Sequence, residues 1–314
     1  MEYNKLIAEM SNTDDIEGFY ILKSAFLKTT AAGKPFLSGS LSDRSGSIDI
    51  KVWDYSGPIT ADDEGKVVKI RGSVAEFRGS PQISVERIRL ADDNDTYDLS
   101  ALVPVAPIDV DATFVEVGTM IKSISDPDYR KICETMMARH KEAIKKIPAA
   151  KSVHHSFISG LLMHTATMMK TADFLAGLYG DIVDRSLLLA GTFLHDIAKE
   201  KEFTFSELGL VTEYSVKGQL LGHLVMGAQE VASAAAELGI PGDKSVLLQH
   251  MVLSHHGEPE FGAAVKPICA ESELLSQIDM IDSRMEIYRE TLANLQPGEV
   301  SSRVFALDKR IYRP

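Results

Sequence analysis

Cysteine, long apolar runs and an excess of positive charge are all scarce in this chain of 314 residues. Cys133 and Cys269 are far apart and form no CxxC pair, which points to reduced thiols without a catalytic task. No stretch approaches 18 uninterrupted apolar residues, so no membrane span is predicted. The opening MEYNKLIAEM lacks the apolar segment and cleavage site of a secretory signal, and a cytoplasmic location is expected. There is no GxSxG elbow, no activated-cysteine signature, no internal repeat and no low-complexity segment. A net charge of −12 argues against a surface coated in cations. What remains is a soluble globular composition, 45% hydrophobic, long enough for two modest domains.

Charge is unevenly distributed. Asp14 to Leu90 holds 11 basic and 11 acidic residues, so the deficit lies in the remainder. Within that remainder Arg130, Lys131, Arg139, Lys141, Lys145, Lys146 and Lys151 face only Glu134 and Glu142. The run reads as a solvated helix face or as a guide for a phosphate backbone.

The first domain, residues 1–92, reads as β. GFYILKSAFLKTT alternates, PFLSGSLSD returns, and SIDIKVWD alternates strictly through Ile48, Ile50 and Val52 before Trp53; VVKIRGSVAEF and QISVERIRLAD follow. Five short strands with polar turns and a long first strand suit an OB-type β-barrel, with a sandwich as the competing fold. Such barrels hold single strands by stacking bases on exposed aromatics beside cations. Tyr20, Phe36, Trp53 and Phe77 are candidates, with Lys23, Lys34, Lys51, Arg71 and Arg78 as cationic partners. About half of those aromatics are needed to fill a barrel, and the favoured substrate contacts are Phe36, Trp53, Phe77 and Arg78.

Residues 93–112 mix acids and prolines with little periodicity and read as a linker. From Thr113 the pattern becomes helical and stays so, giving an overall class of β plus α, a barrel followed by an all-α domain over 113–314. Through this half runs an ordered series: His164, the pair His195 and Asp196, His223, the pair His255 and His256, and Asp279. Each falls on a different predicted helix, and imidazole with carboxylate is the ligand chemistry of divalent cations. In LLLAGTFLHDIAKE an apolar run breaks at His195 and Asp196, and a carboxylate in a buried stripe is costly unless a cation or donor compensates it. One or two divalent ions are expected, Mn²⁺ favoured, with Mg²⁺, Fe, Ni, Co or Zn also compatible. His164, His195, Asp196 and Asp279 would hold one ion; Asp196 would bridge; His223 with His255 or His256 would hold the other. Lys199, one turn beyond the pair, is placed to meet a phosphate. Asp196 and Lys199 are therefore the expected catalytic groups. His154 and His155 precede the first ligand helix and are expected to face a substrate. His140 sits among lysines and is expected at the surface, and His250 reads as supporting or structural.

These residues resemble the HD superfamily of metal-dependent phosphohydrolases. HHSFISGLLMHT, LLLAGTFLHDIAKE, GQLLGHLVMG, LSHHGEPEFGA and LLSQIDMIDSR resemble more closely the YhaM-type 3′-to-5′ exoribonucleases, which also carry an N-terminal OB-fold, and the motif core spans about 160–282. The resemblance implies stepwise release of nucleoside 5′-monophosphates from single-stranded RNA, with single-stranded DNA as a further partner, by a homo-oligomer that does not bind membranes. Two other readings remain: an HD phosphohydrolase of small or cyclic nucleotides with a regulatory barrel, and a nucleic-acid binder whose metal is structural. A closed structural centre would have no use for Lys199 beside it.

Overall fold

The computed structural model describes residues 2–30, 32–77, 80–151, 155–206 and 208–314. The chain divides into two compact units, Met1–Val105 with Ser206–Leu208, and Ala106–Phe205 with Gly209–Pro314. No helix among the described residues is long and apolar enough to cross a membrane.

In the first unit β1 (Glu2–Tyr3), β2 (Asp15–Thr29), β3 (Pro35–Asp43), β4 (Gly46–Trp53), β5 (Val67–Phe77) and β6 (Ser80–Leu90) form one sheet in the order β1-β2-β3-β4-β6-β5. Strand β2 also pairs with β5, from Asp15 opposite Ser73 to Ile21 opposite Val67, and this closes the sheet. Closure decides for the barrel over the sandwich, and the parallel β4–β6 pairing gives the OB order. The length of β2 is what permits it: its first half pairs with β5 and its second half with β3, with a bulge between Leu22 and Ser24 where it bends from one partner to the other. At that bend a Cβ on Gly39 would lie 2.1 Å from the Ser24 carbonyl oxygen, so the close approach requires glycine. Alternation then fills the interior: Ile48, Ile50 and Val52 of β4, Leu37 and Leu41 of β3, and Ile16, Tyr20 and Leu22 of β2 are all buried in one cluster.

The stretch 93–112 is more structured than its composition suggests. It contains a single turn, α1 (Leu99–Leu102), capped by Asp98, and the start of α2 (Val110–Lys122), capped by Asp109. The two aspartates that made this segment look like linker are helix caps.

The second unit is helical: α2, α3 (Pro127–Arg139), α4 (Lys141–Lys146), α5 (Gly160–Leu178), α6 (Arg185–Leu194), α7 (Lys199–Glu202), α8 (Val216–Leu238), α9 (Gly242–Ser254) and α10 (Ala270–Ala293). A two-stranded hairpin, β7 (Phe203–Phe205) and β8 (Val211–Tyr214), interrupts the helices between α7 and α8. Helix α6 is buried at every position from Ser186 to Leu194, and α5 is buried through its first seven residues, so these two helices lie at the centre of the apolar core. The basic run of 130–151 is largely engaged: Arg139 pairs with Glu237, Lys145 with Asp111, Lys146 with Glu142 and Lys151 with Glu213. His140, expected at the surface, is 4% exposed. It caps the junction of α3 and α4 between Glu200 on α7 and Glu230 on α8, at 2.6 and 2.9 Å, so two carboxylates draw the imidazole inward.

Candidate metal centre

The expected ligands arrive from five helices. His164 lies in the buried first turns of α5, and Asp279 lies in the middle of α10. Helix α6 ends at Leu194, so His195 and Asp196 stand in the turn that follows it. His195 itself keeps helical dihedrals, φ −55° and ψ −41°, as the cap of α6. Helix α9 likewise ends at Ser254 and delivers His255 and His256, after which Gly257 turns the chain with φ +76. Helix α8 breaks at Gly222, where φ is 69°, and His223 opens its main segment. The backbone N–H and the Nδ1 of His223 both meet Glu202 Oε1, at 3.0 and 2.9 Å, so Glu202 serves as that segment's cap and fixes the ring.

The inward-facing atoms converge. Asp196 Oδ2 lies 3.2 Å from His195 Nε2 and 3.8 Å from His164 Nε2; Asp196 Oδ1 lies 3.4 Å from His223 Nε2 and 3.7 Å from His255 Nε2. His164 Nε2 lies 3.3 Å from Asp279 Oδ1 and from His195 Nε2. Nitrogen and oxygen ligands held about 2.1 Å from one ion stand roughly 3.0 to 3.6 Å from each other. His164, His195 and Asp196 form one potential ligand group and His223, His255 and His256 another, with the two oxygens of Asp196 directed one to each.

The opposite ring nitrogens of His164, His195, His223 and His255 are held from outside. His195 Nδ1 donates to the Thr192 carbonyl at 2.7 Å, and His255 Nδ1 to the Val252 carbonyl at 2.8 Å. His164 Nδ1 meets Asp282 Oδ2 at 2.7 Å. Each ring is thereby fixed in the tautomer that offers Nε2 inward, the arrangement that orients imidazole ligands. Two of the inward atoms, Asp196 Oδ1 and His223 Nε2, are buried and have no hydrogen-bond partner. Buried polar atoms are rarely left so, and a cation satisfies both at once. The residues present therefore fit a divalent ion.

Electrostatics agree. Burial by itself would raise the Asp196 carboxyl, but Lys199, His195 and His223 outweigh it and hold it well below the usual carboxylate range. Asp279 is likewise driven down against burial, chiefly by His164. Burial opposes a charge on His164, yet Asp279 and Asp282 raise it to about 9: the pocket demands positive charge at Nε2, which a proton or a metal ion supplies. His255 is pushed far down and His256 down to about 4, both mainly by burial, which keeps them neutral and able to ligate. Lys199 Nζ lies 2.6 Å from Asp196 Oδ2; despite burial its partner carboxylates keep it an ammonium.

His155, expected to face a substrate, is 1% exposed and its Nε2 lies 2.8 Å from Asp282 Oδ2. It stands behind Asp282, which bonds His164, and is too buried to face a substrate. His154 and Arg78 lie outside the described residues. His250 is structural, its Nε2 accepting from the Ile268 N–H at 3.2 Å. Asp282, one turn beyond Asp279, is legible from its spacing but was given no role by the sequence, and Glu202, one turn beyond Lys199 on α7, was missed; its spacing from Lys199 was the available signal.

On the barrel, Tyr20 is a core residue whose hydroxyl donates to the Lys5 carbonyl. Trp53 takes the next outward position in the alternation of β4, and it stands 55% exposed with its ring centroid 5.1 Å from that of Phe36. The pairings Phe26–Ser38–Lys51 and Lys28–Phe36–Trp53 put three aromatics and two lysines on one outer face of β2, β3 and β4. Lys51 Nζ sits 5.3 Å from the Phe36 ring and Lys28 Nζ 5.8 Å from the Phe26 ring. Phe77 is exposed but ends β5, two strands from β4 in the sheet order, and does not join this face.

A family model described as HD domain matches residues 161–284. Among solved structures, the second OB-fold domain of replication protein A from Methanococcus maripaludis is similar at 18% identity, over 31% of this chain and 100% of that one, with a TM-score of 0.23. An OB domain from Thermoplasma acidophilum is similar at 20% identity, over 31% of this chain and 92% of that one, with a TM-score of 0.25.

Proposed function

We propose that this chain, an OB-type barrel followed by a helical HD domain, is a metal-dependent phosphohydrolase of the YhaM type: a 3′-to-5′ exoribonuclease that releases nucleoside 5′-monophosphates from single-stranded RNA and also accepts single-stranded DNA. The observation that carries the reading is the pair of buried, partnerless atoms Asp196 Oδ1 and His223 Nε2, 3.4 Å apart and surrounded by three further Nε2 atoms whose rings are fixed from behind. A divalent ion held there lowers the pKa of water and neutralises charge on phosphoryl oxygens.

The chain's own groups do the rest. Asp196 presents one oxygen to each ligand group and so holds them in a fixed relation. Lys199, kept protonated by Asp196, donates to a phosphoryl oxygen as negative charge develops on it. Asp282 and Glu202 keep His164 and His223 in the ligating orientation. The Phe26, Phe36 and Trp53 face, flanked by Lys28 and Lys51, suits stacked bases with a phosphate backbone beside them. A strand binder tethered to a hydrolase raises the local concentration of chain ends at the site.

The test is incubation with single-stranded RNA and DNA, each labelled at the 3′ or the 5′ end, with Mn²⁺, Mg²⁺ or chelator. A ladder from 5′-labelled RNA, with mononucleotide released at once from 3′-labelled RNA and no reaction in chelator, is expected. Hydrolysis only of free or cyclic nucleotides would replace this assignment with the small-nucleotide enzyme.

A further inference from the structure

The ligand groups open onto a cavity of about 770 Å³ whose lining includes three cationic side chains: Lys151, Lys199 and Arg284. Two of them are committed. Lys199 pairs with Asp196 at 2.6 Å and Lys151 with Glu213 at 2.8 Å. Arg284 is exposed on the cavity side of α10, and among the described residues no carboxylate lies within ion-pair distance of its guanidinium. It follows Asp279 by five residues on the same helix, about 7.5 Å further along the axis. That displacement is on the order of one nucleotide step along a strand. A guanidinium presents a planar fork of donors that matches a phosphate bidentately, and one with no internal partner keeps that fork available to a ligand.

We infer that Arg284 binds the phosphate one nucleotide away from the scissile one, so that the site selects strands carrying at least two phosphates over single phosphodiesters. This rests on the phosphodiesterase reading above. It makes Arg284 a substrate contact separate from the groups that hold the metal, and it explains why an acidic chain carries an uncompensated cation on the wall of an acidic site.

The discriminating pair is a dinucleotide with and without a 5′-phosphate, two substrates that share the scissile bond and differ only in the second phosphate. In the wild type the phosphorylated form should bind and react roughly ten- to a hundredfold better. Arg284→Ala should bring that ratio close to one, chiefly through KM, and Arg284→Lys should restore part of it. The same ratio is read by equilibrium binding of both dinucleotides in chelator, where no turnover occurs. A wild-type ratio near one, a ratio unchanged in Arg284→Ala, or equal losses on both substrates would each overturn the inference. If the wild type hydrolyses neither dinucleotide with any divalent ion, the phosphodiesterase reading fails by itself, and the binding ratio in chelator still decides the role of Arg284.

Discussion

The two halves of this protein treat charge in opposite ways. In the barrel every residue of the core cluster is apolar or tyrosine, and Lys28, Lys51, Phe26, Phe36 and Trp53 stand on the outer face. In the helical half the charged groups are at the centre: His164, His195, Asp196, Lys199 and His255 are all buried beside the apolar core of α5, α6 and α9. A strand's period of two separates inside from outside at no energetic cost, so a binding face can be laid on a barrel without disturbing its core. Buried charge has no such exit and must be compensated in place, by partner charges or by a bound cation. The barrel's function should therefore be removable one side chain at a time, and the metal centre's should fail as a unit.

The strongest way to break this contrast is Asp196→Asn, expected to abolish metal-dependent hydrolysis while far-UV circular dichroism and strand binding by the barrel persist. Full turnover in that variant would show that the centre does not depend on the carboxylate facing both ligand groups. Next in size, Asp282→Asn or Glu202→Gln should weaken metal affinity roughly 10- to 100-fold, measured by titration of activity against Mn²⁺ and by calorimetry. An unchanged affinity would mean that the rings need no support from behind. On the barrel, Trp53→Ala should cost about 1 to 3 kcal/mol of single-strand affinity by fluorescence anisotropy with no change in hydrolysis of a dinucleotide. Unfolding instead would show that this exposed ring belongs to the structure.

The smallest effect concerns pH. Glu200 and Glu230 overcome burial and raise His140 to about 9, above its ordinary value of 6.5. Its contribution to stability is thus complete below about pH 6.5 and lost as pH rises through about 9. His140→Gln should therefore flatten, without removing, the decline in urea midpoint between pH 6 and pH 9.5. An identical decline in that variant would assign the effect elsewhere.

Much of this was legible from residues alone. Alternation exposed the strands, and the apolar run broken at His195 and Asp196 marked the centre, because both signals are local. What escaped depended on partners distant in sequence. His140 looked like a surface residue because its neighbours in the chain are lysines, whereas its neighbours in space are Glu200 and Glu230. His155 looked like a substrate contact because it precedes the first ligand helix, and only the approach of α10 puts Asp282 in front of it. Phe26 was overlooked because β2 gives no sign of which strand it meets, and the register with β3 and β4 decides that it shares a face with Trp53.

Sequence by itself determined the kinds of element, the apolar faces and the set of groups able to hold a metal, since periodicity and ligand chemistry are properties of short segments. Tertiary structure alone decided barrel against sandwich, through the pairing of β2 with β5. It alone assigned Asp282 and Glu202 to the rings they hold. Closure and orientation are relations between segments far apart in the chain, and they acquire definite values only when those segments pack.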